Sequence, residues 1–140
     1  MNKILTKEIL MITLIDFIIL SLVIFLPAIS HLLPFPMYFL DPMRLMLFVG
    51  FILSKNTNNA YVLALVIPLF SFIVTGHPII IKSMLISIEL LINITFFITF
   101  VKKIKDQIFF FMLLSILLSK MLYYLLKYLL LSLNYLDGSL

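Results

Sequence analysis

Long apolar runs, broken by short polar or proline-bearing stretches, organise the 140-residue chain. The first run extends from Ile9 to Leu33 behind Lys3 and Lys7. It is too long for a cleaved leader and has no small-residue cleavage site, so it is expected to stay as a first membrane span. "LPFPMYFLDPM", Leu33 to Met43, holds Pro34, Pro36 and Pro42 beside Asp41, a pattern for an ordered loop or re-entrant segment rather than a continuing helix. A short second span is expected from Arg44 to Ser54, a polar turn from Lys55 to Ala60, and a third span from Tyr61 to Thr75 with Pro68 inside it. Gly76-His77-Pro78 breaks the chain, Ile79 to Val101 forms a fourth span, Lys102 to Gln107 a basic loop, and Ile108 to about Asn134 a long last span.

Composition decides the solvent. The chain is 64% hydrophobic and 11% charged, with a mean hydropathy of +1.28, more apolar surface than a water-soluble domain of this size keeps covered. A crossing helix needs about 20 apolar residues, and an open sheet edge is not tolerated in hydrocarbon. The expected fold is therefore all-α: a polytopic helical membrane bundle of five to six transmembrane helices, forming a single integral membrane domain over residues 1–140. With no cysteine, neither a disulfide nor a thiolate site is available.

The net charge of +4 reads mainly as a topology signal. A cytoplasmic N-terminus places Lys3, Lys7, Lys55, Lys102, Lys103 and Lys105 on the cytoplasmic side and the Gly76-His77-Pro78 turn outside, as the positive-inside rule requires. This suits a multi-pass protein of a bacterial cell membrane. The basic loop then anchors to anionic membrane lipid, and a nucleic-acid partner is not expected.

Polar groups inside the spans are the candidate chemistry. At 100° per residue Lys82, Glu89 and Asn93 fall within about 40° of one another, with Ser83 and Ser87 alongside. Tyr61, Pro68, Ser71 and Thr75 share a face of the third span, and Ser119, Lys120, Tyr123, Lys127 and Asn134 fall within about 100° on the last. An ionised group at mid-membrane costs about 2.5–3.5 kcal/mol on insertion scales, so Glu89 and Asp16 are expected to turn inward. The expected substrate-binding residues are Glu89, Asn93, His77, Lys82, Ser71, Thr75, Lys120 and Tyr123. Plainer roles stand beside these: Glu89 neutralising Lys120 or Lys127, Asp16 serving structure or a partner, Lys82 and Lys127 snorkelling to the interfaces, His77 acting as a cap or gate. Tyrosines beside lysines suit an aromatic anion and an interfacial belt equally.

Neither a paired-aspartate, Gly-x-Ser-x-Gly nor His-Glu-x-x-His arrangement occurs, and there is no glycine-rich phosphate loop. The expectation is a protein that is not an enzyme, uses no cofactor and hydrolyses no ATP itself.

The stretch "PLFSFIVTGHP", with Pro68, Leu69, Ser71, Thr75, Gly76 and Pro78, leads into a helix bearing Met84, Glu89 and Leu90. Together with the proline-containing loop and short second span before it, this resembles the substrate-binding S components of energy-coupling factor transporters, over Leu33 to about Phe97. The resemblance implies a small six-helix protein with an outward-opening pocket for a vitamin-like or other small polar solute. It also implies docking onto a transmembrane coupling protein that carries ATPase subunits. The chain departs from the family at the first span, which has only Ala28 where an Ala-x-x-x-Ala docking pattern is usual, in the "KNTNNAY" turn, where the family's glycines are mostly replaced, and in the single apolar run after Lys105 where the family has two helices. The alternative is a noncatalytic membrane assembly protein similar to the rod-shape-determining membrane protein, which has a comparable helical architecture.

Overall fold

The computed structural model describes residues 2–30, 41–76, 79–103 and 107–133, for 2–5, 26–30 and 103 the backbone alone. These residues form five helices: α1 (Asn2–Ser30), α2 (Pro42–Ser54), α3 (Thr57–Thr75), α4 (Ile80–Lys103) and α5 (Ile108–Ser132). In α1, α3, α4 and α5, the segments Thr6–Phe25, Thr57–Thr75, Ile80–Lys102 and Ile108–Ser132 are long and apolar enough to cross a membrane. The chain is an all-α helical membrane protein. Helix α2 has 13 residues, about 20 Å of rise against roughly 30 Å of hydrocarbon, so it spans only part of that depth if upright. The sixth helix implied by the resemblance is not among the described residues.

Local chemistry sets the boundaries. The expected polar turn at Lys55 to Ala60 is mostly helix, because the Asn56 side chain accepts hydrogen bonds from the amides of Asn58 (2.9 Å) and Asn59 (3.2 Å). That cap satisfies two of the open donors at the helix start, so α3 begins at Thr57. Helix α3 ends at Gly76, whose φ of 69° is open to glycine, with its N–H on the Phe72 carbonyl at 2.9 Å. Pro42 occupies the first turn of α2, where its missing donor is not needed.

The core lies between α3 and α4, with the other helices packed around them. Leu63, Ala64, Ile67 and Ala60 of α3 and Leu90 and Ile94 of α4 are essentially inaccessible, and α2 adds Leu47 and Phe48. Ala60 and Ala64, four residues apart, keep one face of α3 narrow enough for close helix approach. Phe97 of α4 stands edge-on to Phe48 at 5.0 Å and to Phe51 at 6.0 Å, a favoured aromatic geometry that joins α2 to α4. Only 11% of the α1 span and 17% of the α5 span are buried, against 39% and 44% for α3 and α4, so α1 and α5 are the peripheral helices. The outer face of α1, with Ile9, Leu10, Leu14 and Phe17, is exposed apolar surface suited to lipid. Asp16 is tied to α3 by a hydrogen bond from Asn59 Nδ2 at 2.8 Å, so the lone carboxylate of the α1 apolar run faces the bundle.

Candidate ligand-binding site

Glu89 lies three turns into α4 and is 3% exposed. A carboxylate buried so deeply needs compensation, and it comes from two other helices. The Arg44 guanidinium, from the first turn of α2, contacts Glu89 Oε1, and Lys120 Nζ of α5 lies 3.1 Å from the same oxygen. Asp41, at the entry to α2, completes the network, 3.5 Å from Arg44 Nη2 and 3.4 Å from Lys120 Nζ. Two carboxylates and two cations therefore alternate in a closed quartet, and each charge touches two of opposite sign. The inner pair is the dry one: the Arg44 and Glu89 side chains are 5% and 3% exposed, those of Asp41 and Lys120 34% and 39%.

Asp41 holds an unusual backbone conformation. Its φ of 46° and ψ of 75° lie in the left-handed region, costly for a non-glycine residue and best tolerated by Asp and Asn. Its carbonyl accepts from the Arg44 and Leu45 amides at 3.0 and 3.1 Å, while its side chain makes no capping bond. The carboxylate is turned instead toward Arg44 and Lys120.

Next to the quartet opens a cleft of about 470 Å³, whose charged lining is Asp41, Lys82, Glu89, Lys120 and Lys127. Met43, Ile86, Tyr123 and Tyr124 complete its walls. Its volume falls in the range of small-molecule sites, roughly 300–1,000 Å³. Lys120 Nζ stands 5.4 Å from the centre of the Tyr123 ring, within reach of a cation–π interaction. Among the described residues no three His, Asp or Glu side chains gather to hold a metal ion.

Four of the expected site residues line this cleft together: Lys82, Glu89, Lys120 and Tyr123. Lys127, considered as a partner of Glu89, lines it too. Asn93 does not. It is wholly buried where α4 meets α5, with Ser115 Oγ 2.9 Å from its Oδ1. The same hydroxyl lies 2.8 Å from the Met112 carbonyl, and one hydroxyl proton serves one of the two. Since Asn93 Nδ2 otherwise has no partner, the amide is better oriented with its nitrogen donating to Ser115 Oγ and that hydroxyl donating to Met112. Asn93 is thus a helix-pairing residue here, and Asn93→Leu, which enlarges a wholly buried side chain and removes its hydrogen bond to Ser115, is expected to lower stability by about 1–3 kcal/mol and to leave ligand retention unaltered. Thermal unfolding in detergent and a native mass spectrum of the variant check both outcomes.

Ser71 is buried on α3, and the Thr75 hydroxyl donates to the Ser71 carbonyl at 2.7 Å; neither lines the cleft. His77 and Asn134 lie outside the described residues. The third polar wall is therefore supplied by the start of α2 in place of α3. Helix α3 buries Ser71 and Pro68 within the bundle, and Ser87 of α4 turns toward its Leu65 carbonyl at 3.4 Å.

Arg44 and Asp41 are the members of this site absent from the expected set. One signal pointed to Arg44: it is the sole arginine among ten basic residues, and arginine is the side chain suited to a buried, multiply bonded carboxylate. Comparison with protein-family models, curated proteins and solved structures gives no match.

Proposed function

We propose that this chain is the solute-binding membrane subunit of a transporter, of the energy-coupling-factor type that its sequence resembles, taking up a vitamin-like or other small polar solute. One observation carries the proposal: a cleft of about 470 Å³, lined by five charged side chains and two tyrosines, among helices most of which are long and apolar enough to cross a membrane. Ionisable side chains on membrane-spanning helices are costly, and an ion-pair quartet alone does not need a cleft beside it. In this proposal the quartet fixes the relative positions of α2, α4 and α5, and Lys82, Tyr123 and Lys127 meet the solute. A transmembrane coupling protein with ATPase subunits supplies the energy, since the chain has no phosphate loop of its own. A native mass spectrum of the protein purified in mild detergent tests this, with a retained small molecule or copurified ATPase subunits as the expected result. Absence of both, with normal growth of a deletion strain on limiting vitamins, counts against it.

The second function, a noncatalytic assembly protein of the bacterial cell membrane, draws on the large exposed apolar faces of α1 and α5. Stable copurification with cell-wall or division proteins, and no bound solute, favours it.

The proposed orientation has the N-terminus in the cytoplasm, because Lys7, Lys55 and Lys102 then share the inner side and the cleft opens outward. Single cysteines at Lys102 and Ile79 are expected to label from opposite sides of the membrane. Labelling of both by an impermeant reagent applied outside removes this topology.

A further inference from the structure

The cleft carries more positive charge than its own carboxylates neutralise. Lys82, Lys120 and Lys127 line it against Asp41 and Glu89, and Arg44 stands behind Glu89. Leaving Lys127 out of the count, the two lining cations Lys82 and Lys120 and the Arg44 guanidinium in contact with Glu89 make three positive charges for two carboxylates. Both carboxylates are already engaged by Arg44 and Lys120. Lys82 is half-buried in the first turn of α4 and, among the described residues, enters no ion pair.

We propose that the cleft binds an oxyanion, a carboxylate or a phosphate, carried on a flat or apolar body, and that Lys82 selects the sign of its charge. This rests on the cleft being a ligand site and names the ligand's chemistry. An incoming anion meets the Lys82 ammonium without breaking any existing pair, and the lowered dielectric beside the apolar walls strengthens that contact. An incoming cation has only Asp41 and Glu89 to bind and must take them from Arg44 and Lys120, leaving those charges uncompensated. Met43, Ile86 and the Tyr123 and Tyr124 rings offer apolar and aromatic surface to the body of the ligand. The oxyanion comes either from a free solute or from the headgroup of an anionic lipid, and the chemistry at Lys82 is the same for both.

The test uses the full chain in nanodiscs, where binding needs no coupling protein. In phosphatidylcholine discs, 2-naphthoate is titrated against its cationic counterpart, 2-naphthylmethylammonium, by calorimetry. The expected result is saturable binding of the anion, at least tenfold weaker binding of the cation, and a loss of about tenfold for the anion in Lys82→Gln but not in Lys82→Arg. The melting temperature of Lys82→Gln stays at the parent value, because Lys82 is outside the quartet. If the source is a headgroup, phosphatidylglycerol is retained over phosphatidylcholine in native mass spectra, again dependent on Lys82, and the oxyanion site stands while the solute-transport function falls. Lys82-dependent binding of 2-naphthoate with no carrier-dependent uptake of any anionic solute into vesicles has the same meaning. Equal binding of anion and cation, unchanged affinity in Lys82→Gln, or no preference for either oxyanion probe overturns the proposal.

Discussion

Replacing Glu89 by Gln is expected to lower stability in detergent by about 3 kcal/mol, the low end of the loss seen when one partner of a buried ion pair is removed, because Asp41 still stands 3.5 Å from Arg44. Gln keeps the size of Glu89 and can still accept a hydrogen bond, but it carries no charge, so Arg44, whose side chain is 5% exposed, keeps only the more distant and half-exposed Asp41 carboxylate at 3.5 Å. Lys120, at 39% exposure, reaches water and loses much less. The destabilisation therefore comes mainly from Arg44, and the double variant Arg44→Met with Glu89→Met is expected to recover most of it, since well-packed apolar side chains replace a buried pair at little net cost. Thermal unfolding of the single and double variants measures this coupling. A Glu89→Gln protein that melts like the parent, or a double variant no more stable than either single variant, removes the pair from its structural role.

The second large effect is steric. At Gly50 an added Cβ would lie 2.5 Å from Leu63 Cδ1 and 2.7 Å from Ile19 Cδ1, so α2 touches α1 and α3 through a residue with no side chain. Both opposing atoms are the ends of flexible side chains, which move for one methyl group, and Gly50→Ala is expected to cost about 1 kcal/mol. Gly50→Val has no such outlet, because Ile19 and Leu63 are each 1% exposed with little space to retreat into, and about 3 kcal/mol or more is expected. Gly76 provides the contrast. Nothing lies within 4 Å of a Cβ there, so Gly76→Ala is strained only by its φ of 69°, at roughly 1–2 kcal/mol. Melting temperatures of the three variants in one detergent check the order, and a Gly50→Val protein as stable as Gly50→Ala would sink the close-packing account.

Much of the fold is legible along the chain because membrane helices announce themselves by length and apolarity, which are properties of consecutive residues. The breaks at Lys55, Gly76 and Lys103 follow from the same kind of local signal. Helix α3 starts at Thr57, four residues ahead of the expected Tyr61, because Asn56 caps the helix through its side chain and makes most of a polar run helical. The candidate site was legible only in part. Helical periodicity put Lys82 and Glu89 on one face of α4, and Lys120 and Tyr123 on one face of α5, where the cleft does lie. The same periodicity put Asn93 with Glu89, yet one further turn along α4 the neighbouring surface is no longer the cleft but the Ser115 side of α5.

The sequence by itself determined the solvent, the helices and the need for the carboxylates of Glu89 and Asp16 to turn inward to a partner, because apolar length and the cost of a bare charge in hydrocarbon depend on no neighbour. Only the tertiary structure decided who the partners are. Arg44 and Glu89 are 45 residues apart, and no period of one helix relates them. Their meeting depends on α2 packing where Gly50 leaves room for Leu63 and Ile19, and on Phe97 seating against Phe48 and Phe51. Asp16 likewise could be expected to face inward, but that Asn59 receives it depends on the position of α3 against α1. Which polar faces meet is a property of helix packing, set by side-chain shapes on several helices at once, and a pattern read along one helix does not contain it.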